Sequence, residues 1–129
     1  MKSLREKNRE QNYEAVLLQS IDEALLTLGE NVRLSIYFHL QTKFGLPKNE
    51  IPNHTVEFVD AMGKIFGEAS KKIEILIMKF LNEKIQFKYE WAGPNWLVPN
   101  LTFEDYLKMV KVTIEKREKQ AEARLNGNE

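Results

Sequence analysis

The chain has 129 residues, 43% hydrophobic and 29% charged, which fits one globular domain built on a single apolar core. Nineteen basic side chains balance nineteen acidic ones, removing the excess of Lys and Arg that drives global binding to nucleic acid or to an anionic membrane. Cysteine is absent, so disulfides, thiolate metal sites and a cysteine nucleophile are excluded.

Taken in chain order, the first predicted helix runs from about Tyr13 to Leu28. Tyr13, Val16, Leu17, Ile21, Ala24, Leu25 and Leu28 form one apolar stripe at helical spacing. The charged residues 1–12 before it extend the helix into solvent or fray, and Gly29 is a natural stop. A second helix is expected over about Asn31 to Phe44. Val32, Leu34, Ile36, Tyr37, Phe38 and Leu40 make it apolar on more than one side, which predicts several packing neighbours. "GLPKNEIPN" ends it, with Gly45, Pro47 and Pro52 confining the segment to a turn or extended loop.

A third helix follows from about Thr55 to Phe66, with Val56, Phe58, Val59, Met62, Ile65 and Phe66 as its stripe, and Gly67 punctuates. The fourth, from about Glu68 to Lys84, carries "ILIMKFL" and is apolar almost all round, so it is expected to be enclosed by the others as the central element. Then "KIQFKYEWAGPNWLVPNLTFEDY", residues 84–106, changes period. Ile85, Phe87, Tyr89 and Trp91 alternate at every second position, and Ala92-Gly93-Pro94-Asn95 supplies turn chemistry, which predicts a short β-hairpin. Thr102 with Asp105 resembles a capping box opening the last helix, whose stripe is Phe103, Tyr106, Leu107, Val110 and Ile114. Residues 115–129 are mostly charged and read as that helix fraying toward Gly127. The expectation is therefore a mostly α, single-domain bundle of about five helices with one hairpin, spanning 1–129.

The sequence is poor in chemistry. His39 and His54 are the only histidines and stand fifteen positions apart, without the spacing of a helical metal pair. His39 reads as a partly buried core histidine and His54 as an exposed residue at a helix start. No serine sits in a nucleophile elbow, and Gly63 and Gly67 form no phosphate loop. Neither a catalytic residue, a cofactor nor a metal is expected. Asn53-His54-Thr55 and Asn100-Leu101-Thr102 satisfy the glycosylation pattern but read better as helix caps. The N-terminus lacks an apolar run of signal-peptide length, and "ILIMKFL" is too short for a membrane span, so the expected location is cytoplasmic with no membrane partner.

Three helices followed by a hairpin is also the order of a winged helix-turn-helix. A recognition helix must present polar and basic residues to base edges, yet the fourth helix is the most apolar in the chain, with Lys71 and Lys72 only at its start. Nucleic acid is accordingly disfavoured as a partner, and a small-molecule-binding domain is a lesser alternative. The two tryptophans, Trp91 and Trp96, fall within six residues, and tryptophan is enriched at interface hot spots. Tyr89, Trp91, Trp96 and the loop carrying Pro47 and Pro52 form the expected interaction surface, for a protein partner or a second copy in a homodimer. The competing reading has the hairpin rings closing one end of the bundle.

Residues 20–85 resemble a known family. "LG…IYFHL", "EIP", "KIFG" and "ILIMK" occur here as Leu28-Gly29, Ile36 to Leu40, Glu50 to Pro52, Lys64 to Gly67 and Ile75 to Lys79. In that order they are similar to the small archaeal helical domain of the Nitrosopumilus-type output family. The resemblance implies a cytoplasmic, non-enzymatic output or accessory module in signal transduction. It carries no catalytic or cofactor residue across.

Overall fold

In the computed structural model, which describes residues 4–85 and 102–125, the order is α1 (Leu4–Leu26), α2 (Glu30–Phe44), a 3-10 turn (Lys48–Asn53), α3 (Thr55–Phe66), a second 3-10 turn (Gly67–Ala69), α4 (Ser70–Ile85) and α5 (Phe103–Leu125). The expected helical bundle is present. No strand occurs among the described residues, and the predicted hairpin falls on residues 86–101, outside them. Its first expected strand residue, Ile85, is instead the buried last residue of α4.

Local chemistry accounts for the helix ends. Gly45 adopts φ 63°, ψ 29°, the left-handed conformation that glycine enters without a Cβ penalty, and its N–H donates to the Leu40 carbonyl. The Leu46 N–H reaches the same carbonyl at 2.9 Å, and the Leu46 side chain is buried, so the cap is also a packing contact. Thr102 caps α5, its Oγ1 accepting the Asp105 N–H at 3.1 Å. The corresponding expectation at Asn53 is overturned. His54 occupies the N-cap of α3 without a side-chain cap bond, and the Thr55 hydroxyl donates to Glu104 Oε2 on α5.

The core forms where α4 meets its neighbours. Ile73, Ile77, Met78, Leu81 and Ile85 are buried, and α4 packs against α1, α3 and α5. From α1 it meets Leu17, Ile21, Ala24 and Leu25 in one continuous core cluster. The α5 helix runs alongside α4 in the same direction: the Tyr106 hydroxyl lies 3.1 Å from Asn82 Oδ1, and eleven residues later Arg117 donates to the Ile85 carbonyl. Ile75, Leu76 and Phe80 are half-buried, so the enclosure of α4 is incomplete on one side. Among the described residues, no helix is long and apolar enough to cross a membrane.

Some expectations are corrected by this packing and others are met. The first helix ends at Leu26, and Leu28 lies partly exposed in the turn rather than in the stripe. Val56 on α3 is exposed. Of the turn or extended loop expected after α2, the turn is what forms, a 3-10 turn whose Ile51 and Pro52 are buried where it packs on α1, α2 and α3. The last helix runs on through the charged C-terminal stretch to Leu125, in line with a helix expected to continue toward Gly127. There Glu118 accepts a hydrogen bond from Asn12 at 2.7 Å, and the Lys111 ammonium sits 5.8 Å from the Tyr13 ring centre. These polar contacts hold the tail against α1 where apolar ones have run out.

Candidate interaction surface

The α2 helix stands at the edge of the bundle, packing on α1, α3 and the first 3-10 turn. Ile36 and Leu40 seat it on the core, and a polar cluster adds to that contact. Asp22 on α1 presents a single oxygen, Oδ1, to three donors: Arg33 Nη1 at 2.7 Å, the Tyr37 hydroxyl at 3.0 Å and Lys48 Nζ at 3.2 Å. Arg33 is itself gripped by Glu30 in a two-pronged contact at 2.6 and 3.1 Å. Lys48 also lies over the Tyr37 ring, 4.8 Å from its centre. One carboxylate thus fixes the turn between α1 and α2 and anchors the 3-10 turn to both.

Electrostatics follow that geometry. Partial burial opposes ionisation of Asp22, but the hydrogen bonds from Arg33, Lys48 and Tyr37 outweigh it and hold the carboxyl below its ordinary value. Burial, reinforced by the Asp22 charge, pushes the Tyr37 hydroxyl up. These bonds tie the members to one another, so the cluster acts as a clamp between α1, α2 and the 3-10 turn.

Ile36 and Leu40 occupy the inner face of α2, Tyr37 and Phe44 pack partly against the core beside them, and Val32, Leu34 and Phe38 are left exposed. Phe38 is 67% exposed, Leu34 52% and Val32 39%. The expected several neighbours are present, since α1, α3 and the first 3-10 turn all pack on this helix, but neither α4 nor α5 packs closely on it and its outer face stays open. Beside the exposed stripe, between α2 and the end of α3, lies an open cleft of about 470 Å³ lined by Asn31, Val32, Ser35, Ile36, His39, Ile65 and Phe66. His39 is half-buried as expected, but at a cleft wall rather than in the core. Phe38 and Leu34, about 40° apart around the helix, together present roughly 250 Å² of apolar surface, while Val32 lies on the other side of the helix as part of the cleft wall.

Of the sequence-predicted surface, Tyr89, Trp91 and Trp96 lie outside the described residues. Pro47 is half-buried and Pro52 is buried, the latter inside the 3-10 turn, so Pro52 serves packing rather than recognition. Leu46 and Ile51 are buried too, and the loop's exposed residues are Gly45, Lys48, Asn49 and Glu50. The α2 face was missed because period and composition show that this helix is apolar on more than one side, not which sides its neighbours leave open.

A second polar cluster joins α1, α3, α4 and α5. Glu104 Oε2 accepts the Thr55 hydroxyl at 3.1 Å, while Oε1 is buried without a hydrogen-bond partner among the described residues. Burial raises the Glu74 carboxyl, with Glu104 adding to the effect and Lys71 opposing it. The Tyr13 hydroxyl is pushed up to about 12, again chiefly by burial, with help from the Glu104 and Glu14 charges. Among the described residues no group of three or more His, Asp or Glu is placed to hold a metal ion. Compared with models of protein families, with curated proteins and with solved structures, the chain matches none.

Proposed function

We propose that this chain is a non-enzymatic protein-interaction module that docks a protein through the outer face of α2 and the adjoining cleft. One observation carries the reading: the largest exposed aromatic among the described residues, Phe38, projects from the middle of a helix that is otherwise firmly clamped. A large ring two-thirds open to water contributes nothing to the core. Held on a rigid element beside an apolar cleft, it has the setting of an interface anchor. The position of α4 points the same way. A groove-reading helix would expose its length, whereas α4 buries five apolar side chains and leaves Lys71 and Lys72 exposed only at its start. In the setting implied by the resemblance to output domains, the module would pass a signal by contact rather than by chemistry.

The test is site-specific photocrosslinking in cells. A benzoylphenylalanine at position 38 of the full chain is expected to trap a discrete protein adduct, while the same probe at Lys119, exposed on the far end of α5, does not. No adduct at position 38, or equal adducts at both positions, would refute the reading.

A further inference from the structure

We infer that the occupant of the α2 surface is a second copy of this chain, each Phe38 seating in the α2–α3 cleft of its twin. The inference rests on the docking role of α2 and names its partner. Its starting point is that knob and hole occur on the same surface. At about 100° per residue, Phe38 lies roughly 60° around α2 from Ser35, which lines the cleft, and within one helical turn of it along the axis. A two-fold dimer requires a patch that complements itself, because residue i of one protomer meets residue j of the other and the reverse contact is repeated. A foreign partner would have to bring both a hole for Phe38 and a knob for the cleft. A twin supplies both by symmetry.

The chemistry of the two halves agrees. Val32, Ile36, Ile65 and Phe66 give the cleft apolar walls, and its volume of about 470 Å³ leaves room for an aromatic ring. Asn31, Ser35 and His39 supply polar atoms at the edge, as the rim of an interface does.

Charge does not oppose the pairing. None of the cleft-lining residues is Lys, Arg, Asp or Glu. Two ion pairs on the flanking helices are matched within the chain, Glu30 with Arg33 at 2.6 Å and Asp60 with Lys64 at 3.0 Å. The formal net charge of the whole chain is zero, so two copies approach without mutual repulsion.

Area sets the strength. A standard interface buries roughly 800 Å² per partner, a little over half of it apolar. Phe38 and Leu34 offer roughly 250 Å², and the exposed parts of the cleft walls, Val32 among them, add to that. The sum falls below that standard, which suits a small, reversible dimer and not an obligate one.

The experiment measures mass and contact together on the full chain. Sedimentation velocity is run from low micromolar to near-millimolar concentration on wild type, F38D and S35W. The first variant removes the knob, and the second blocks the cleft mouth while leaving Phe38 in place. Both sites are exposed, and the helical circular dichroism of each variant confirms folding. The expected result is a wild-type mass that rises to twice the chain mass, with each variant weakening dimerisation at least tenfold. In a mixture of nitrogen-15-labelled and unlabelled chains, benzoylphenylalanine at position 38 should join the peptide carrying Ile65 and Phe66 of the other copy.

Monomers of wild type throughout the range would overturn the inference. So would a dimer that both variants leave intact. A crosslink at position 38 to a different protein, with the purified chain monomeric, would sink the second copy while keeping the docking role. No crosslink to anything would sink both.

Discussion

Replacing Asp22 with Ala removes the one oxygen on which Arg33, Tyr37 and Lys48 converge. The site is about one-third exposed, so each contact is discounted for solvent. The Arg33 contact, the shortest and least exposed, is worth about 1 kcal/mol, and the Tyr37 hydroxyl contributes about half of that. Lys48, with nearly half its side chain in water, adds almost nothing. The expected loss at neutral pH is thus about 1.5 kcal/mol, or a fall in Tm of about 6 °C for a domain of this size.

Because the folded-state pKa of Asp22 is depressed, its contribution is present in full above the ordinary value of 3.8 and is lost as pH falls through the folded-state pKa. The assay is urea denaturation followed by circular dichroism, run on wild type and D22A in steps from neutral pH into acid. The two curves should lie about 1.5 kcal/mol apart at neutral pH and converge once the carboxyl is protonated. A gap of the same size in acid, or none at neutral pH, would refute the clamp.

Further outcomes concern single contacts. Tyr106→Phe, which removes a fully buried hydroxyl lying 3.1 Å from Asn82 Oδ1, should cost about 1 kcal/mol in urea denaturation, and an unchanged midpoint would count against that bond. Gly45→Ala forces a side chain into φ 63° with open space around it, so the cost of about 1 kcal/mol is purely backbone, and Gly45→Asn should cost less. Equal losses for the two would point to crowding instead. Thr102→Ala should cost about 1 kcal/mol while Thr102→Ser recovers most of it, because the N-cap needs only the hydroxyl oxygen; full loss in the serine variant would refute this.

How much of this was legible in the chain depended on whether the cause was local. Thr55 to Phe66 is a helix in the structure over the residues that periodicity indicated, and Gly45 and Thr102 mark helix ends as their chemistry required. The Asp22 clamp left no such trace. Its partners stand 11, 15 and 26 positions away, and no motif links those separations until the turns bring them together. Pro52 illustrates the opposite error. The prolines rightly pointed to a turn or extended loop, but Pro52 was also expected on an interaction surface, whereas it is buried in a 3-10 turn that packs on three helices.

By itself the sequence determined a chain of helices, where most of them stop, and that α4 could be stable only among neighbours. Those properties follow from backbone preferences and from the period of apolar residues, which act over a few positions. Only the tertiary structure decided that α2 would lie at the edge, leaving Leu34 and Phe38 in water beside a cleft that α3 completes. Burial is a relation between elements distant in the chain, and a helix apolar on more than one side does not specify which of those sides its own chain will cover.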